Sequence, residues 1–337
     1  MLKVSILDQS TAARGRAEAD AIRETLEHAR LADRLGYHRY WVSEHHNSAS
    51  IVGTAPEVLM AAIAATTQRI RVGSAGVMLP HYSALKVAEQ FRVLEAIAPG
   101  RIDLGVGRAP GSDRLTAHAL NPDADAAAEH FPRLVRDLSQ WVAGEPLDEG
   151  HPFARVVAHP RGPTAPQMWI LGSSDYGARL AAHFGLPYAY AYFFVDGRGT
   201  EEALALYRDA FRPSAVCPAP RATVCIWALA ADSDEEAQHL LGSRAHWRVG
   251  FQKGLREPLI PPDEAAAHRY APEDQAIVDA LRRKAFAGTA ERVAQRLRDE
   301  AGRLALDEIV VVTWTFDPAA RMRSTTLLAR ALGLDGA

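Results

Sequence analysis

Residues 70–107, IRVGSAGVMLPHYSALKVAEQFRVLEAIAPGRIDLGVG, set two short β-branched runs on either side of one helical stretch. Ile70–Gly73 reads as a strand, and Ile102–Gly107 as another. Between them, Val87, Phe91, Leu94 and Ala98 recur at helical spacing and share one face of a helix over Ala84–Ala98. A strand–helix–strand unit of this kind predicts a parallel sheet. The same rhythm extends upstream, with strands at Lys3–Leu7 and Arg39–Ser43 and helices at Ala19–Leu35 and Pro56–Thr67. Downstream, strands are expected at Met168–Leu171, Tyr188–Phe193, Thr223–Ala230 and Glu308–Thr313, with helices between them and Pro318–Leu332 closing the chain. Phe131, Leu134, Leu138 and Trp141 mark a further helix whose aromatics read as core. Eight strands, each followed by helix, give an α/β chain built as a single-domain (β/α)8 TIM barrel over residues 1–337, and the count favours closure over an open doubly wound sheet. The proline- and glycine-rich stretch 144–166 reads as an insertion in that barrel. The stretch 251–272 reads as irregular, either a mobile lid or a plain surface loop.

Composition narrows the function classes. With 38 Lys and Arg against 41 Asp and Glu, the net charge of −3 offers no broad positive field for a nucleic acid. No apolar run approaches the ~18 residues that a membrane helix needs. Asp8 interrupts the short apolar run after Lys3, so no secretory leader is expected and the default location is cytoplasmic. Cys217 and Cys225 match neither a disulfide framework nor a zinc site, and read as reduced, buried thiols.

In such barrels the chemistry lies at the C-terminal ends of the strands. Those ends carry Asp8-Gln9-Ser10, Glu44-His45-His46-Asn47, Ser74-Ala75-Gly76, Gly107-Arg108 and Gly172-Ser173-Ser174. Aromatic residues share the rim, namely Tyr192, Phe193, Phe194, Trp227 and Trp314. Polar anchors beside aromatic walls suit a flat aromatic ligand carrying a phosphate. Gly172-Ser173-Ser174 opens a helix, where free N–H groups and hydroxyls can face an anion, and Arg108 on the neighbouring loop can reach the same anion. The small residues of Gly73-Ser74-Ala75-Gly76-Val77 indicate space kept open for a ligand or another backbone. Adjacent Glu44, His45 and His46 point to alternate faces, so no metal site is expected. One rim histidine can instead move a proton near neutral pH. Neither the glycine fingerprint of nicotinamide binding nor a phosphate-binding P-loop is present.

Taken together, Glu44-His45-His46-Asn47, Val72 through Pro80, Ala88-Glu89-Gln90, Gly100 through Arg108, Ile170 through Ser174 and His183 through Pro187 resemble the bacterial luciferase-like flavin-dependent monooxygenases. The ordered set covers nearly the whole chain. The resemblance implies FMN, delivered reduced by a separate NAD(P)H-dependent reductase, with O2 as co-substrate and a homodimeric assembly. It places the cofactor against Ser74, Ala75, Gly76, Gly107, Arg108, Gly172, Ser173, Ser174 and Tyr192. Arg108, Ser173 and Ser174 would hold the phosphate, and Gly76, Gly107 and Tyr192 would border the ring. It also implies a cis Ala75–Gly76 peptide and makes His45 the catalytic histidine. Two departures stand out: Ser173 where the luciferase catalytic subunit has a glutamate, and Gly107 where it has a reactive cysteine. Light emission from a long-chain aldehyde is therefore not expected. The leading expectation is oxygenation of a small, apolar organic substrate. Hydride transfer with the deazaflavin F420 and flavin binding without turnover are the alternatives.

Overall fold

The computed structural model describes residues 2–334. In chain order, β1 (Lys3–Asp8) leads to α1 (Glu18–Arg34), β2 (Arg39–Val42) to α2 (Pro56–Thr66), and β3 (Arg71–Met78) to α3 (Ala84–Ile97). β4 (Ile102–Gly107) precedes α4 (Arg114–Leu120), α5 (Ala124–Glu129) and α6 (Phe131–Ala143). β5 (Gln167–Gly172) leads to α7 (Asp175–Phe184), and β6 (Tyr188–Tyr190) to α8 (Tyr192–Val195) and α9 (Thr200–Asp209). β7 (Ala222–Ala231) precedes α10 (Asp234–Gln252), α11 (Pro262–Ala267) and α12 (Pro272–Lys284). β8 (Phe286–Thr289) leads to α13 (Ala290–Arg303), and β9 (Glu308–Val312) to α14 (Pro318–Leu332).

All these strands pair in parallel, in the order β6-β5-β4-β3-β2-β1-β9-β7, and a β6–β7 pairing closes the barrel. Strand alternation divides the apolar residues into two sets. Ile6, Tyr40, Val72, Leu104 and Ile170 turn outward into one cluster with the helices, among them Phe131, Val135, Leu138 and Trp141 of α6. Leu7, Trp41, Trp169, Cys225, Trp227 and Val310 fill the barrel. No helix of the described residues is long and apolar enough to cross a membrane.

Three local features depart from the sequence expectations. β8 is a ninth strand, unforeseen because Phe286–Thr289 is only four residues long; it pairs with the C-terminal half of β7, from Ala228↔Phe286 to Ala231↔Thr289. β6 pairs with β7 only as far as Tyr190↔Val224, so the two strands part above that point. β3 does not stop at Gly73; it continues to Met78 through a register shift between Ser74 and Val77.

Both proline-rich stretches are held by specific contacts. In 144–166, Val156 accepts from the Trp141 indole at 3.0 Å and Pro160 accepts from Arg92 Nε at 2.6 Å. In 251–272, α10 persists to Gln252, α11 forms a short turn of helix, and buried Leu259 exchanges backbone hydrogen bonds with Ala12 (3.0 Å) and Arg14 (2.8 Å). The stretch is thus partly helical and pinned to the loop after β1. The expectation of a segment without regular structure is corrected there.

Candidate active site

The barrel interior is layered. At its N-terminal end Arg39 bonds Asp103 at 2.6 Å and Glu308 at 2.8 Å, and its guanidinium lies 5.0 Å from the Trp169 ring. Above this layer sits Trp41. A Cβ on Gly73 would come within 2.5 Å of the Trp41 ring and 2.7 Å of Asp103, so the space at Gly73 is taken by the indole. The expectation of room left for a ligand is corrected at this glycine. Gly105 and Gly76 have a similar cause: an added Cβ would meet Ser74 O of β3 at 2.2 Å in the first case and Leu171 Cδ1 of β5 at 2.3 Å in the second.

Asp8 does not join the rim as the sequence order implied. It turns outward between α1 and α14, where it accepts from Tyr40 Oη (2.7 Å), Thr25 Oγ1 (3.0 Å) and Arg321 Nη1 (3.0 Å), with His28 Nδ1 at 3.2 Å. Burial alone would raise its pKa, but Arg321 and the hydrogen bonds from His28 and Tyr40 reverse that and hold it well below the carboxylate range.

The β2 loop is organised by Glu44, a buried residue that the sequence offered only as a rejected metal ligand. One carboxylate oxygen accepts from Tyr82 Oη at 2.7 Å and contacts His46 Nε2 at 2.8 Å; the other accepts from Met78 N at 3.1 Å. Glu44 therefore ties the β2 loop to the end of β3, and His46 is spent on that tie. His45 is free of it. Its backbone N–H donates to Gly53 O at 3.0 Å and its Nδ1 lies 3.1 Å from Ser43 Oγ, while Nε2 has no hydrogen bond to any described residue. Burial pushes the imidazole pKa down to about 4, against the opposing pull of Glu44. His45 is accordingly neutral at pH 7.

The structure brings Arg108 to the loop after β5. Its guanidinium stacks 3.9 Å from the ring centroid of Tyr176, in the first turn of α7. Ser174 is the N-cap residue of α7 but makes no side-chain cap hydrogen bond, so its hydroxyl remains available next to the positive end of the helix. Gly172 and Gly177 pack the turn tightly: a Cβ on Gly172 would lie 3.4 Å from both Gly177 Cα and Tyr188 Oη. Tyr188 Oη also donates to Ser174 O at 3.0 Å, fixing the loop. On its other side, Arg108 borders a cavity of about 270 Å³ shared with His81, Arg114, His118 and Asn121.

The remaining expected residues divide. The Ala75–Gly76 peptide is cis, as expected. Ala75 is partly exposed and packs on the interior cluster. At Gly107 an added Cβ would meet only the end of Met78, at 3.5 Å, so the protein itself does not require glycine there. Ser74 is placed differently from expectation. It is fully buried, and its hydroxyl donates to Gly105 O at 2.9 Å and accepts from Gly105 N at 3.1 Å, which occupies it in joining β3 to β4. Tyr192 is also displaced. Tyr192 shares the parity of Tyr188 and Tyr190, which face the outer cluster, so although β6 ends at Tyr190 it is Phe193, on the side of Ala189, that packs on the interior cluster. Tyr192 lies in the outer cluster beside Glu300, where burial pushes its phenol up to about 12.

Comparison with known proteins agrees with this architecture. A family model described as luciferase-like monooxygenase matches residues 2–308. An N-acetyl-S-alkylcysteine monooxygenase of Bacillus subtilis (strain 168) is 35% identical over 98% of this chain and 98% of its own. The crystal structure of apo-MsnO8 superposes with a TM-score of 0.91 at 37% identity, covering 99% of both chains. More distantly, at 19% identity and a TM-score of 0.73, the oxygenating constituent of 3,6-diketocamphane monooxygenase from Pseudomonas putida, a structure in complex with FMN, shares the fold over 98% of this chain and 97% of that one.

Proposed function

Because the chain belongs to the luciferase-like monooxygenase family, we propose that it is a flavin-dependent monooxygenase that uses reduced FMN and O2 to oxidise a small organic substrate. The observation that supports a phosphate-bearing flavin-type cofactor, a feature FMN shares with F420, is the Arg108 guanidinium stacked on Tyr176 beside the unused Ser174 hydroxyl at the N-terminus of α7. A fixed cation, two adjacent hydroxyls and free helix N–H groups suit the phosphate of FMN. Ala75, Gly76 and Gly107 border the ring in this reading, and Gly172 shapes the phosphate loop.

Reduced FMN supplies the two electrons with which one oxygen atom enters the substrate and the other leaves as water. The chain's own groups bind, orient and move protons. Arg108 and Ser173 with Ser174 fix the phosphate and so the register of the ring. The layer of Trp41, Trp169, Val310 and Trp227 beneath keeps water out of the barrel. His45 presents a neutral imidazole whose Nε2 can accept a proton, with Ser43 orienting the ring through Nδ1. A separate NAD(P)H-dependent reductase delivers the reduced flavin, and the protein works as a cytoplasmic homodimer in this reading.

Arg108→Ala is the test of the phosphate assignment. A charge-assisted hydrogen bond contributes roughly 1.5–3 kcal/mol, so FMN affinity should fall about 10- to 100-fold while riboflavin affinity stays within about twofold. Equal weakening of FMN and riboflavin in parallel titrations would remove the assignment.

A further inference from the structure

Where β6 and β7 part above Val224, a second cavity of about 470 Å³ opens between α8, the upper half of β7, β8 and α13. Its inner wall is Phe193 and Trp227, both in the interior cluster that also contains Ala75 and Leu171. Ile226, Leu281 and Phe286 make it largely apolar. Arg244 of α10 also lines it. This arginine is only 7% exposed, yet it forms no hydrogen bond or ion pair with any described residue, and its guanidinium lies 4.4 Å from the Trp227 ring centroid.

Of the other charges at the cavity, Asp299 accepts from Gln295 Nε2 at 2.7 Å. Asp196, the acidic residue whose field reaches Arg244, bonds Arg248 at 3.5 Å. Arg303 pairs with Glu300 at 2.5 Å and also with Glu201. Arg296 donates to Ala285 O and Lys284 O and stacks 4.3 Å from Phe286. Lys284 is exposed at the mouth. Burial and the nearby Arg248 push the Arg244 pKa down to about 9, which still leaves it charged at pH 7. A buried cation without a counter-ion is costly unless something anionic meets it.

We propose that this cavity receives the carboxylate end of the substrate, with Arg244 as its counter-charge, so that the substrate is an organic acid with an apolar body. The proposal deepens the monooxygenase reading and rests on it: Trp227 and Phe193 of the cavity wall belong to the interior cluster on which Ala75, where that reading places the flavin, also packs. A planar guanidinium matches a carboxylate with two parallel hydrogen bonds. Asp196, Asp299 and Glu300 around the same cavity argue against a doubly charged phosphate. The earlier expectation of a purely apolar substrate is modified accordingly.

The test uses the full-length protein and tryptophan fluorescence, titrating 4-phenylbutyrate beside the uncharged 4-phenylbutan-1-ol. The acid should bind at least about tenfold more tightly, the preference should vanish in Arg244→Gln and persist in part in Arg244→Lys, and inorganic phosphate should not displace the acid. Equal affinities in the unaltered protein, a preference that survives in Arg244→Gln, or displacement by phosphate would each overturn the proposal. Reduced FMN titrated against the same three proteins separates the two readings. Absence of FMN binding in the unaltered protein counts against the flavin, whereas FMN binding equal in all three with no acid preference in the unaltered protein counts against Arg244.

Discussion

His45→Ala is expected to lower turnover by about 10²- to 10⁴-fold, the usual contribution of a positioned acid or base, while reduced FMN binds as before. The effect is confined to chemistry because no hydrogen bond joins His45 to Arg108 or to the α7 terminus proposed for the phosphate, and its side chain bonds only Ser43. The pH dependence gives a second readout. With the imidazole pKa pushed down to about 4, the neutral base persists throughout the neutral range, and the acid limb of kcat/KM should fall near pH 4 rather than near 6.5. The sign for stability follows from the same shift. Between about pH 6.5 and 4 the unfolded chain binds a proton at this site that the folded chain does not, so His45 disfavours folding as the pH falls through that window. Turnover in His45→Ala within about fivefold of the unaltered enzyme would remove His45 from proton transfer.

The largest stability effect is expected at Asp8. Removing its carboxylate leaves Arg321, which is 5% exposed, with only Glu24 at 3.9 Å as counter-charge, and takes one acceptor each from Tyr40 and Thr25. Breaking a buried pair from one side costs about 3–5 kcal/mol, so Asp8→Ala should lower the urea midpoint sharply. Asp8→Ala combined with Arg321→Met should recover much of that loss, because the stranded charge goes with the arginine. Because folding depresses the Asp8 pKa, the stability it contributes is present above about pH 4 and is lost as the pH falls below that. A single Asp8→Ala variant within about 1 kcal/mol of the parent would show that the network is not what holds these helices to the barrel.

The parallel barrel was legible because β-branched runs and helical periodicity alternate in one rhythm, and residues 70–107 contain a full unit of it. The cluster of Arg108 with the α7 terminus was legible too, since barrel geometry places successive strand ends on one rim. What sequence alone misplaced has local causes. Resemblance alone turns Tyr192 toward the ring, yet it has the parity of Tyr188 and Tyr190, which face the outer helices, and Phe193 is the ring on the barrel side. Ser74 carries a hydroxyl at the expected spot, yet the register shift in β3 gives it Gly105 as partner. The glycine at position 73 serves a tryptophan on the neighbouring strand, a pairing that no local pattern contains. Glu44 looked like half of a metal motif, whereas its partners Met78 and Tyr82 lie more than thirty positions away. Arg244 did leave a signal. It sits on the same helical stripe as buried Ala237 and Leu241, and an arginine on an apolar stripe is an unusual occupant.

The most direct test of the central claim is an anaerobic fluorescence titration of the purified protein with reduced FMN beside reduced F420. Saturable binding of reduced FMN, tighter than that of F420 by at least about tenfold and weakened about 10- to 100-fold in Arg108→Ala, is the result expected of an FMN-dependent monooxygenase with its phosphate at α7. Tighter binding of F420, or no saturable binding of either, would contradict it.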